Sequence, residues 1–128
     1  MDQFKTLLAV KKLMSKNIFT VGVKSSVTEA AKQMSRHKTD CILAVDGNDE
    51  VVGILTESDI VRKVVAKEIN PSAAAIKDLM SEPLLDIASD ESIFEAKKIM
   101  EKHNVHHLIV KESGKLVGIV AARDLVKS

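Results

Sequence analysis

The chain has 128 residues, 45% apolar and 29% charged, with a formal net charge of +1. That balance is ordinary for one globular domain, and it supplies neither a basic field for nucleic acid nor an acidic block for a solvating tail. The single cysteine, Cys41, excludes an internal disulfide and fits a reducing compartment, while the longest apolar runs, Cys41–Val45 and Leu116–Ala122, are strand-sized and far short of a membrane span.

In chain order, Met1–Leu8 carries Phe4, Leu7 and Leu8 at helical spacing. It is predicted as a short N-terminal helical segment (residues 1–9) packed on the body. The opening MDQFKTLLAVKK has an acid at position 2 and no small-residue cleavage site, so no secretory signal is expected and the location is expected to be cytoplasmic. After a strand around Ile18–Val21, Ser26-Val-Thr-Glu29 has the form of a capping box, in which hydroxyl and carboxylate both satisfy free amides at a helix start. Val27, Ala30, Ala31 and Met34 follow at helical spacing. Ile42–Val45 and Val51–Leu55 flank Asp-Gly-Asn-Asp and read as a β-hairpin. A second helix, with Ile60, Val61, Val64 and Val65 on its apolar face, is stopped by Asn70-Pro71.

From Ile76 onward the chain says nearly the same thing again. Leu79-Met80-Ser81 stands 66 places after Leu13-Met14-Ser15, and Ser92, Glu95, Ala96, Met100 and His103 stand 66 places after Ser26, Glu29, Ala30, Met34 and His37. After the hairpin the offset is 65, with Val52-Gly53-Ile54, Asp59 and Val61 returning as Val117-Gly118-Ile119, Asp124 and Val126. Each copy reads strand, helix, strand, strand, helix. The expected class is α/β, two pseudo-symmetric repeats (10–68 and 76–128, with a linker over 69–75) packed through their small sheets. Each half is too small to bury a comfortable core alone.

Gly53-Ile-Leu-Thr-Glu-Ser-Asp59-Ile and Gly118-Ile-Val-Ala-Ala-Arg-Asp124-Leu closely resemble the signature that ends a cystathionine-β-synthase (CBS) domain. Lys12-Leu-Met14-Ser, Asp78-Leu-Met80-Ser and Val105-His-His-Leu108 belong to the same pattern, so the resemblance runs from about Val10 to Val126. It implies a stand-alone tandem pair (a Bateman module), a regulatory sensor of adenosine-containing ligands such as AMP, ADP or ATP, commonly a disc-like homodimer. No cofactor, catalytic residue, metal, nucleic acid or membrane partner is expected.

The residues themselves leave two readings open. Thr56 and Asp59 fall where a strand passes into a helix, a natural seat for phosphate, and Asp59 can accept bonds from two ribose hydroxyls. The same Thr-x-x-Asp is also a capping box serving only its own helix. In the second copy Ala121 replaces the hydroxyl while Asp124 stays. By the resemblance, Thr20 lines adenine and ribose, although a β-branched residue also suits a strand end. Its counterpart Asp86 would repel phosphate.

The resemblance further implies that His106, His107 and Arg123 reach over from the second copy to the phosphate; at the matching places the first copy offers Asp40 and Ser58. A strand-leading histidine pair making local bonds is the plainer alternative. With few aromatic residues, adenine would lie between aliphatic side chains such as Ile18, Ile42 and Ile54. The expected main site is therefore Ile18, Thr20, Ile42, Thr56, Ser58, Asp59, His106, His107 and Arg123. A weaker second cleft comprises Leu84, Asp86, Leu108, Ala121 and Asp124, suited at most to a less charged ligand such as S-adenosylmethionine. His37 and His103 are expected to face solvent. His103, His106 and His107 straddle a helix end and a strand and cannot readily converge on one ion. Cys41 is expected in the core. Three functions stay in view: a nucleotide sensor, an interaction module with vestigial clefts that dimerises with a partner protein, and a nucleic-acid binder. Apolar helix faces expected to be exposed (Val61, Val64, Val65 and part of Val27–Met34) predict dimerisation, the disc implied by the resemblance covering them.

Overall fold

The computed structural model describes residues 8–82 and 84–126. The expected helix over Met1–Leu8 lies almost wholly outside them; the first described element is a 3-10 turn, Val10–Lys12. Packing divides the chain into two compact units, one spanning Phe19–Leu84 and the other combining Met1–Ile18 with Leu85–Ser128.

The continuous unit contains β1 (Thr20–Gly22), α1 (Val27–His37), β2 (Cys41–Val45), β3 (Val51–Thr56) and α2 (Glu57–Asp59), which runs into a π-helical turn, Ile60–Val65. Its sheet has the order β1-β2-β3, β1 parallel to β2 and β2 antiparallel to β3. The parallel pair requires a crossover, and α1 is that crossover. The second unit repeats the plan with β4 (Asp86–Ala88), α3 (Ile93–His103), β5 (His107–Glu112), β6 (Lys115–Ala121) and α4 (Ala122–Val126), its sheet ordered β4-β5-β6. The expected α/β order is the observed one.

Local chemistry explains the boundaries. Ser26 Oγ accepts the Glu29 amide and Ser92 Oγ the Glu95 amide, each at 3.1 Å. Only this hydroxyl half of each expected capping box forms; the Glu95 carboxylate lies instead 3.7 Å from the Lys98 ammonium. Both helices end in a left-handed residue, Lys38 at φ 54° and Asn104 at φ 53°, the usual way to turn a chain out of a helix. The hairpins account for the change of offset. In the first, Asp46 Oδ1 accepts the Asn48 and Glu50 amides at 2.9 and 3.0 Å. In the second, Ser113 and Gly114 (φ 53° and 79°) make a tight two-residue turn between Glu112 and Lys115.

Each unit is completed by the segment that leads the other sequence repeat. Val10, fully buried, joins Ile87, Ile93, Ala96, Met100, Leu108, Val110, Val120 and Leu125, with Leu13 and Met14 packed against them. Ile76 does the same for Val21, Ala30, Met34, Ile42, Ala44 and Leu55, with Leu79 and Met80 alongside. Ser15 bridges to Ile119 and Ser81 to Ile54. The glycines of the repeated motif admit these segments. A Cβ on Gly118 would stand 2.6 Å from Met14 Sδ and 2.8 Å from the Ser15 carbonyl oxygen; one on Gly53 would collide with the Met80 sulfur. The sequence repeats (10–68 and 76–128) are thus not the packing units.

The expected dimer face needs correction. Val61 and Val65 are 58% and 65% exposed, but Val64 is buried, as are Val27, Ala30 and Met34 of α1, which form the core against the sheet. Val126, the counterpart of Val61, is 78% exposed.

Candidate functional site

The two motifs sit at equivalent junctions, where β3 passes into α2 and β6 into α4. In each, the residue ahead of the middle strand accepts the first helical amide through its carbonyl: Asp40 from Glu57 at 2.9 Å, His106 from Ala122 at 2.8 Å. In each, the motif carboxylate is drawn back onto the last strand residue. Thr56 N–H donates to Asp59 Oδ2 at 3.0 Å, and Ala121 N–H to Asp124 Oδ2 at 2.9 Å. The backbone frame is the same twice over.

The surroundings of the carboxylates differ. Asp59 is 3% exposed. The Asp59 amide donates to Thr56 Oγ1 at 3.1 Å, so the full capping box forms here. Ser81 Oγ lies 3.2 and 3.4 Å from the two carboxylate oxygens, and Lys63 Nζ lies 3.1 Å from Oδ1. The lysine also donates to the Leu79 carbonyl at 3.0 Å and to Ser81 Oγ at 3.4 Å. A buried charge needs such partners. Asp124 is half-buried, and among the described residues its carboxylate accepts one hydrogen bond, from Ala121. The Ser15 hydroxyl, counterpart of Ser81, accepts the Asn17 amide at 3.2 Å.

Strand register decides which residues share a face with these junctions. Thr20 pairs with Leu43 and Leu43 with Ile54, while Cys41 pairs with Thr56; in the other unit Asp86, Ile109 and Ile119 align and His107 pairs with Ala121. Successive strand residues face opposite ways. Ile42 and Leu108, each 1% exposed, therefore face the helix-side cores and do not line a ligand face. Their neighbours Leu43 and Ile109 face the other way and are buried as well, 0% and 4% exposed. Cys41 is buried, as expected.

Thr20 is exposed at the start of β1; Ile18 and Leu84 are half-buried in loops, and Ser58 is exposed on α2. Asp86 is not a bare negative charge, since Lys111 Nζ lies 3.4 Å from its carboxylate. His106 and Arg123 are exposed and His107, the first residue of β5, is half-buried. His37 is exposed, as expected, and its ring also stacks on Phe19, centroids 3.9 Å apart and planes 8° apart. The residues that sequence reasoning missed are Lys63, Ser81 and Lys111. Lys63 had a readable signal, because it stands four places after Asp59 on a helix.

The CBS domain family model matches residues 10–66 and 76–128. The chain belongs to the CBS-domain family, as a tandem pair of repeats. It is 32% identical over 121 residues to an uncharacterized protein of Methanopyrus kandleri, an alignment covering 94% of this chain and 62% of that one. It is similar to a putative signal-transduction protein with CBS domains from Burkholderia ambifaria (32% identity, TM-score 0.85, covering 93% and 91% of the two chains). A conserved protein from Pyrococcus horikoshii is also similar (26%, TM-score 0.87, 95% and 92%). CBS-domain pairs are typically regulatory ligand-binding modules rather than catalysts. No helix among the described residues is long and apolar enough to cross a membrane.

Proposed function

We propose that the protein is a regulatory module that senses an adenosine nucleotide of the AMP, ADP or ATP type. The observation that carries this reading is the pair of motif carboxylates held by backbone amides at two equivalent strand-to-helix junctions. A carboxylate so placed accepts both hydroxyls of a ribose diol, and charge-assisted bonds of that kind are worth about 1.5–3 kcal/mol each. Half-buried Ile54, on the strand that leads to the first junction, offers an apolar contact for a purine. The histidines and Arg123 carry the phosphate part of the proposal.

A thermal-shift panel of AMP, ADP, ATP, adenosine, 2′-deoxy-AMP and S-adenosylmethionine tests it, since a ligand that binds only the folded state raises the melting temperature with concentration. Ribonucleotides should stabilise more than adenosine or the deoxynucleotide. Equal shifts for AMP and 2′-deoxy-AMP would remove the ribose role of the carboxylates, and no shift with any compound would remove the sensor. The second reading, an interaction module with closed clefts, is favoured by one observation: Asp59 already has all its partners within the chain. Exposed Val61, Val65 and Val126 support homodimerisation under either reading. A monomer by light scattering at high micromolar concentration, with and without nucleotide, would exclude the dimer.

A further inference from the structure

We propose that Lys63 is an internal occupant of the first motif carboxylate, a tethered counter-ion that must leave Asp59 before that carboxylate can accept a ligand's hydroxyls. The inference rests on the reading of the protein as a nucleotide sensor. Asp59 Oδ2 holds the Thr56 amide, and the Lys63 ammonium lies against Oδ1 with the Ser81 hydroxyl beside both oxygens. Lys63 in turn has a partner for each of its three donors: Asp59, the Leu79 carbonyl and Ser81 Oγ. The set is closed, and a diol entering it displaces a member.

Lysine is the member able to move. The Thr56 amide is backbone and Ser81 is fixed by backbone bonds to Ile54, with N–H to O distances of 2.8 and 3.2 Å. The Lys63 side chain is 37% exposed on a flexible four-carbon stem, against 4% for Asp59. Swinging out, it gives up Leu79 and Ser81, which flank Met80, the side chain seated over Gly53. Occupancy at Asp59 is thereby linked to the Leu79–Ser81 segment. In the second repeat Ser128 stands where the repeat would place this lysine, and among the described residues Asp124 accepts the Ala121 amide alone. Apparent affinity falls by the fraction of time the carboxylate is vacant, so the latch weakens the first junction selectively.

The test is calorimetric titration of AMP into the Asp124→Ala protein, with and without Lys63→Met or Lys63→Gln, each variant first checked for a cooperative thermal melt. Removing the ammonium should tighten binding roughly tenfold or more, and adding Asp59→Asn should abolish the gain. Unchanged or weaker binding in both lysine variants would overturn the latch while leaving the sensor reading intact. Failure of the wild type and all variants to bind AMP would overturn both. Should the lysine variants not fold, the Lys63 ammonium can be followed by NMR in the wild type. Its hydrogen-bonded signal should disappear on saturation with AMP, and its persistence there would overturn the latch.

Discussion

The two strand-to-helix junctions share a backbone and differ in what they leave for a ligand. At β3–α2 the aspartate is sealed beneath a lysine, a serine and a threonine; at β6–α4 its counterpart is half-buried and holds one amide. The residues that changed between the copies include Thr56, replaced by Ala121, and Lys63, whose place in the repeat falls to Ser128. Those that stayed, Gly53 and Gly118, Asp59 and Asp124, set the frame. A duplicated fold can thus keep its skeleton and alter its chemistry, because each amide-to-carboxylate bond is local and survives changes around it.

The comparison can be broken first at its glycines. Gly118→Ala should cost about 3 kcal/mol and Gly53→Ala about 1 kcal/mol, read by urea unfolding. The added methyl at 118 meets the Ser15 carbonyl oxygen as well as Met14, whereas at 53 it meets the Met80 side chain, which can turn aside. Equal costs would show that the leading segments are held alike. Next come the carboxylates. Asp59→Ala strands a part-buried amide, a serine and a lysine and should cost about 2 kcal/mol, while Asp124→Ala strands one part-buried amide and should cost less than about 1 kcal/mol. Matching losses would show that the two junctions hold their aspartates equally firmly.

Two smaller effects sharpen the symmetry. Ser26→Ala and Ser92→Ala each remove one cap at 3.1 Å and should each cost about 1 kcal/mol by thermal unfolding, with a difference between them too small to resolve. Lys38→Gly should raise stability by about 0.5 kcal/mol, since a lysine held at φ 54° carries strain that glycine does not. Asn104→Gly should do less, because asparagine already tolerates that conformation.

The element order, both helix starts and the place of both motifs were legible in the sequence because they are written in local signals: caps, aliphatic periodicity and hairpin turns. The parity of the strands was less so. A continuous apolar run such as Cys41–Val45 carries no alternation, so Ile42 and Leu108 looked available when register turns them toward α1 and α3. Val64 misled for the same reason, one apolar stripe serving both core and surface. The Asp59 network was half visible: the lysine lies one helical turn away, but Ser81 is 22 residues distant and comes into reach only through the bridge to Ile54.

The exchange of leading segments also sets an expected order of assembly. Phe19–Leu84 is one unbroken stretch and can close as soon as Met80 has been made. The other unit joins residues from both ends of the chain, so Val10 and Met14 emerge early from the ribosome and wait for Gly118 before they are seated. Closing that long loop adds little to the equilibrium cost but slows the search. The continuous unit has the shorter loops to close, so its contacts are expected to form before those that seat Val10 and Met14.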